Sequence, residues 1–242
     1  MRTKYNFVAS AAASFPAITP LDELIDAIGN RFGIWEAEAA GVTEVNGRVA
    51  EWIADGGRKF EQVASDRRPY LEGGGLRMFN ADTLAPESRM ILAGSQIGQR
   101  TNLTIAAKFK LLQSSLETDL HYLFGDQSVN TRLMYRHVPG GAGKLLRFDV
   151  ASNAVDVAVP EGNTGQMGVV IEVAGTTLRM TTSWGGQAQV TLPASGINLP
   201  ALYLGNSGTS GGGDMPGWFE VFGAWTGTIT KEERSALLAK VS

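Results

Sequence analysis

Residues 103–111 read Leu-Thr-Ile-Ala-Ala-Lys-Phe-Lys-Leu, with Leu103, Ile105, Ala107, Phe109 and Leu111 at every second position and Thr104, Lys108 and Lys110 between them. Successive side chains of an extended chain point to opposite faces, so this period of two predicts a strand with one face in a core. Similar apolar or β-branched runs follow at 120–124, 133–135, 145–150, 155–159, 167–173, 178–182, 190–192, 201–204 and 219–225. Most are separated by glycine-, proline- or asparagine-bearing turns: GDQSVN at 125–130, PGGAG at 139–143 and PEGNTG at 160–165. Short strands at such spacing, with too few helical segments for crossover units, predict an all-β antiparallel sandwich or barrel.

Helical signals occur only at the two ends. Over residues 19–29, Thr19 is placed to cap, Pro20 suits a first turn, Asp22 favours the positive end and Gly29 closes the segment. Its apolar positions Leu21, Leu24, Ile25 and Ile28 form one stripe that needs a packing partner. At the C-terminus Thr230 and Glu233 have the spacing of a capping box, and Leu237, Leu238 and Val241 supply an apolar side. Ahead of the first helix, Arg2 and Lys4 followed by FVASAAASFPA resemble a signal peptide, but serines break the apolar region. An extended arm is the preferred reading. The expected organisation is therefore an arm and amphipathic helix over 1–33, serving anchoring or assembly, and a β domain over 34–242.

Composition excludes several classes of function. With 21 Lys and Arg against 24 Asp and Glu, the formal charge is −3, so no broad basic field attracts nucleic acid. The 242 residues contain no cysteine, which removes disulfides, thiolate zinc sites and cysteine nucleophiles. The apolar stretch from Phe7 to Ile18 is interrupted by Ser10, Ser14 and Pro16, short of the roughly 20 residues a membrane span needs. Thirty glycines and 19% charged residues suit a turn-rich β protein.

The segment from Ile34 to Tyr70, IWEAEAAGVTEVNGRVAEWIADGGRKFEQVASDRRPY, carries Trp35, Gly47, Val49, Trp52, Asp55, Gly56, Arg68 and Pro69 in a recognisable order. It resembles the opening of the concanavalin A-like (laminin G-like jelly-roll) domains found in phage virion and bacterial surface proteins, and the strand at 219–225 followed by a capped helix is similar to their close. The resemblance spans about residues 34–242 and implies a jelly-roll sandwich, location on a virion or cell surface and a carbohydrate-related role. It departs from the family pattern at MFNAD, 78–82, where Asn80 and Asp82 stand in for the usual turn. Physically, Trp35 and Trp52 suit packing between sheets, and Asp55 with Gly56-Gly57 suits a tight turn.

Jelly-roll glucanases, which resemble this fold, carry three carboxylates on one strand as Glu-x-Asp-x-x-Glu or Glu-x-Asp-x-Glu, giving a nucleophile and an acid about 5 to 5.5 Å apart. Here ETDLH supplies Glu117 and Asp119, but His121 stands where a third carboxylate belongs. His121 and Tyr122, a conceivable base and acid, are adjacent and face opposite sides of a strand. His121 and His137 are the only histidines, no G-x-S-x-G elbow precedes a helix, and PGGAGK at 139–144 lacks phosphate-loop spacing. A non-catalytic role is favoured.

For binding, the expected loops carry Asp126, Gln127 and Asn130 in one turn, Trp184 in SWGGQ, and Asn206, Asp214 and Trp218 around the glycine-rich segment 205–217. Tryptophan faces with fixed carboxylates and amides are the chemistry that holds sugars, provided the loops meet at one rim. Calcium is the one cofactor left open, through Asp126 with Asn130 or through Asp214 with loop carbonyls, but without an Asp-x-Asp run no strong metal site is expected. The favoured function is a glycan-binding or adhesion domain of a virion or surface protein. It would form a homo-oligomer and attach to other virion or surface proteins through residues 1–33. The alternatives are a ligand-free structural subunit and a polysaccharide-cleaving enzyme using Glu117 and Asp119.

Overall fold

In the strand Asn102–Leu111 the alternation is realised: Leu103, Ile105, Ala107, Phe109 and Leu111 are buried, while Lys110 is exposed. The computed structural model describes residues 20–79, 88–92, 97–117, 120–141, 143–206 and 215–242. In chain order the elements are α1 (Pro20–Ala27), β1 (Arg31–Glu36), β2 (Val42–Val45), β3 (Arg48–Ile53), β4 (Lys59–Glu61), β5 (Tyr70–Glu72), β6 (Gly75–Arg77), β7 (Met90–Leu92), β8 (Gly98–Arg100) and β9 (Asn102–Leu111). They continue as β10 (Leu120–Asp126), β11 (Thr131–Val138), β12 (Gly143–Val150), β13 (Asn153–Ala158), β14 (Gln166–Ala174), β15 (Thr177–Thr182), β16 (Gln187–Thr191), β17 (Ile197–Leu199), β18 (Tyr203–Leu204), β19 (Gly217–Trp225) and α2 (Lys231–Lys240).

All strand pairs are antiparallel and form two large sheets. The first runs β16-β15-β14-β9-β19-β6-β5, with β1 beside β6 on the same flank of β19; the second runs β13-β12-β11-β10-β18-β7-β4-β3-β2. A small β17-β8 ribbon completes the ladder. The inner faces meet through aromatic contacts that cross between sheets: Trp35 to Phe60 at 4.9 Å, Phe60 to Phe222 at 5.6 Å and Phe124 to Phe222 at 5.3 Å between ring centroids. Edge-to-face and tilted pairs at these separations add to the burial of large apolar surface. The architecture is the antiparallel jelly-roll sandwich with a short helix at each end that the sequence predicts. Trp35 and Trp52 are fully buried, Trp52 Nε1 donating to Glu36 O at 2.8 Å.

Both helices cover the outer face of the first sheet. Ile25 and Ile28 of α1 pack with Ala236, Leu237 and Val241 over Ala106, Val170 and Trp225. The Val241 carbonyl lies so close to Gly168 that a Cβ there would approach it to 2.0 Å, which is why the strand carries glycine beneath the helix end. The capping box of α2 is formed: Glu233 N donates to Thr230 Oγ1 at 3.1 Å and Thr230 N to Glu233 Oε2 at 2.6 Å. The boundary expected at 33/34 falls inside β1, because Trp35 and its neighbours pair with Phe222 and the rest of β19. Residues 1–19, including the arm and the Thr19 cap, and Asn80 and Asp82 lie outside the described residues. No described helix is long and apolar enough to cross a membrane.

Candidate functional site

The loop residues singled out in the sequence separate to opposite ends of the sandwich. Asp126 closes β10 and is 4% exposed; its Oδ1 accepts from Ser128 N at 2.9 Å and Ser128 Oγ at 2.6 Å, and its Oδ2 from Ala201 N at 3.1 Å. Asn130 takes a left-handed conformation at φ 53 and donates from Nδ2 to the Ala151 carbonyl. Both side chains shape the turns they occupy. Gln127 lies in that turn, with its side chain outside the described residues, as is the whole of Asp214.

Trp184 belongs to the other end. Its Nε1 donates to Ala158 O at 3.0 Å, and Ala158 is in register, through Leu145 and Arg136, with Leu120 at the start of β10. The six steps from Leu120 to Asp126 in this seven-residue strand, at ~3.4 Å each, put Asp126 about 20 Å away along β10. Asn206 is buried just past β18, where Gly205 N donates to Leu123 O in mid-strand. Trp218 is at the same end of the molecule as Trp184, but β14 and β9 lie between β19 and the β15–β16 turn that carries Trp184. Trp184 packs on the inter-sheet core, whereas Trp218 faces outward. Among the described residues, Asp126 and Asn130 therefore do not share a rim with Trp184 and Trp218, because turns at opposite strand ends cannot converge.

Trp218 has other neighbours. Gln166, Lys110, Trp218, Arg77 and Tyr70 are consecutive cross-strand partners on β14, β9, β19, β6 and β5, so they form one row on the outer face of the first sheet. Their strand neighbours Phe109, Phe219 and Leu76 point the other way and are fully buried. Along the row Lys110 Nζ lies 5.5 Å from the Trp218 ring, Phe79 meets Trp218 edge to face at 4.7 Å, and Arg77 lies 4.4 Å from the Tyr70 ring. Arg48 reaches across from β3 to 4.5 Å from the same Tyr70 ring. Lys108 pairs with Glu220 at 3.3 Å and Arg77 with Glu72. The α2 terminus stops over Gly168, one alternation short of Gln166 and Lys110, so no described helix covers this end of the sheet.

The carboxylate considered for catalysis gives a different picture. Glu117 ends a 3₁₀ turn, Gln113–Glu117, and is ion-paired to Lys144, which holds its carboxyl below the usual range. His121 and Tyr135 secure that turn, His121 Nε2 lying 3.0 Å from Ser115 O and Tyr135 Oη donating to Leu116 O at 2.6 Å. Burial, with Glu117 nearby, pushes the Tyr135 phenol up to about 12. These groups fasten backbone, and Asp119 lies outside the described residues. Among the described residues no cluster of three His, Asp or Glu side chains is arranged to hold a metal.

No family model and no curated protein sequence matches the chain. Solved structures do. The ligand-binding domain of botulinum neurotoxin serotype D, determined with N-acetylneuraminic acid, superposes with a TM-score of 0.62 at 10% identity, over 90% of this chain and 52% of that one. A botulinum neurotoxin type C structure, described with cell entry dependent on two ganglioside molecules, gives 0.59 at 8% identity over 91% and 52%. A Trypanosoma rangeli sialidase gives 0.57 at 13% identity over 88% and 33%. The chain thus spans about half the length of the toxin domains and a third of the sialidase, and at these identities what is shared is the β-sandwich fold.

Proposed function

We propose that the chain is a non-catalytic glycan-binding or adhesion module of the concanavalin A-like class, displayed on a virion or cell surface. The observation that carries this reading is the end of the first sheet that no described helix covers, where partly buried Trp218 sits in a row of cationic, amide and aromatic side chains. Sugars offer apolar ring faces and hydroxyl edges together, and a surface that alternates aromatic and polar groups meets both. The ligands named for the two toxin structures, a sialic acid and gangliosides, agree with that chemistry. Display as a homo-oligomer, with attachment to other virion or surface proteins through residues 1–33, belongs to the same proposal.

A glycan array with the intact chain, Trp218→Ala and Trp184→Ala tests it. The account expects specific retention of carbohydrate, lost in Trp218→Ala and kept in Trp184→Ala. Absence of any retained glycan, or full retention by Trp218→Ala, rejects the site. The rival reading is a structural subunit without ligand, favoured by the way Asp126, Asn130 and Trp184 direct their polar atoms to their own backbone.

A further inference from the structure

Resting on that reading, we propose that the glycan is acidic, and that its carboxylate or sulfate groups are held by Lys110, beside Trp218 in the row, and by Arg48, on the Tyr70 ring at the row's β5 end. A neutral sugar stacks on an open ring face, yet the rings here already carry cations. Tyr70 has two guanidinium groups on it, from Arg48 at 4.5 Å and Arg77 at 4.4 Å, and Trp218 has the Lys110 ammonium at 5.5 Å and the Phe79 ring against it. A cation over an aromatic face keeps its charge and its N–H donors while losing conformational freedom, so the rings hold these groups ready for an anion.

Not every cation on this end of the face has a carboxylate partner among the described residues. Arg48, Arg77, Lys108 and Lys110 face Glu72 and Glu220; Arg77 is paired with Glu72 and Lys108 with Glu220. Arg48 directs Nη1 to the Asp66 and Arg68 carbonyls, and neither it nor Lys110 forms an ion pair among the described residues. Among the described residues, Arg48 and Lys110 are thus left without a carboxylate partner. Lys110 and Tyr70, on which Arg48 rests, are three strand spacings apart, ~14 Å at ~4.8 Å per strand. One small anion reaches a single one of these cations; an oligosaccharide bearing acidic groups along its length reaches both. The acid is the carboxylate of a sialylated chain or the sulfate of a sulfated one, and both present anionic oxygens that accept from the N–H groups of Arg and Lys.

The test measures binding of the full chain to a sialylated and to a sulfated oligosaccharide, each beside its desialylated or desulfated form, at low and high salt. The expected result is at least tenfold tighter binding of one acidic form than of its neutral counterpart, weakening as salt screens the contact. Lys110→Gln, on an exposed side chain, is expected to lower that affinity at least fivefold with thermal unfolding unchanged. Arg48→Gln is the less clean variant, since it also releases two backbone carbonyls. Equal affinity for acidic and neutral forms overturns the acidic assignment and leaves the glycan reading standing. No binding to any oligosaccharide overturns both. Equally tight binding of a single-stranded oligonucleotide of the same charge shows charge attraction without sugar recognition and also overturns the proposal.

Discussion

Tyr135 shows how a single buried side chain ties a turn to a sheet. Its hydroxyl donates to Leu116 O, and the ring is fully enclosed beside His121, with which it stacks at 6.3 Å. Burial disfavours the phenolate, so the folded phenol titrates near 12 against an ordinary value of 10.0. A group whose pKa rises on folding stabilises the fold fully below its unfolded value, and the contribution disappears as pH climbs through the folded one. Stability should therefore fall between about pH 10 and 12, and Tyr135→Phe should flatten that slope. The same substitution should cost about 1 to 3 kcal/mol near neutrality by leaving the Leu116 carbonyl without its donor. Denaturant unfolding across pH checks both; an unchanged alkaline slope in Tyr135→Phe contradicts the assignment. The residue scale is also where the sequence speaks most clearly about local chemistry. The Thr230–Glu233 capping box and the Asp55-Gly56-Gly57 turn, with Gly56 and Gly57 at φ 96 and 83, use partners within a few residues and are readable directly.

At the scale of elements, α1 is held in two ways of unequal weight. Ile25 and Ile28 are buried against α2 and the sheet. Around them Lys240 pairs with Asp22 at 3.4 Å and Glu36 at 2.5 Å, and Arg31 bridges Asp26 and Asp55. The carboxylates of these pairs are 40% to 53% exposed, where an ion pair contributes about 0 to 1 kcal/mol, whereas truncating a buried isoleucine costs about 2 to 5. Ile28→Ala should accordingly destabilise the protein by ~2 kcal/mol or more, and Lys240→Gln by under ~1 kcal/mol. Chemical denaturation of the two variants decides it, and the reverse order would mean that charge, not apolar contact, docks the helix. Long strands such as β9 and β14 announce themselves by alternation, because one face meets the core along the whole run. The short strands β4 to β8 do not, since three residues carry too little pattern, and β1 is fixed by pairing with β19 at the far end of the chain.

For the molecule as a whole, the same distinction separates the fold from the site. The sandwich follows from many local alternations that agree with one another. The row that includes Trp218 follows from register, since Lys110, Arg77 and Tyr70 come from three other strands brought side by side by β19 and its neighbours. Trp218 is readable as an aromatic at the border of a loop; its neighbours in the row are not, as nothing in the spacing of residues 70, 77 and 110 relates them before the sheet forms. The turn residues Asp126 and Asn130 were readable as polar loop groups, but sequence could not say that β10 separates them from both tryptophans.

The chain has five tryptophans, Trp35, Trp52, Trp184, Trp218 and Trp225, and each contributes one indole N–H signal. Trp35, Trp52 and Trp225 are buried, Trp184 is bonded to Ala158, and Trp218 lies in the row on the outer face of the first sheet. The most direct measurement is a nuclear magnetic resonance titration of the nitrogen-labelled indoles with an oligosaccharide retained on the array. The account predicts a saturable shift of the Trp218 signal with the other four nearly still. A shift centred on Trp184, or saturation that leaves Trp218 unmoved, would contradict it.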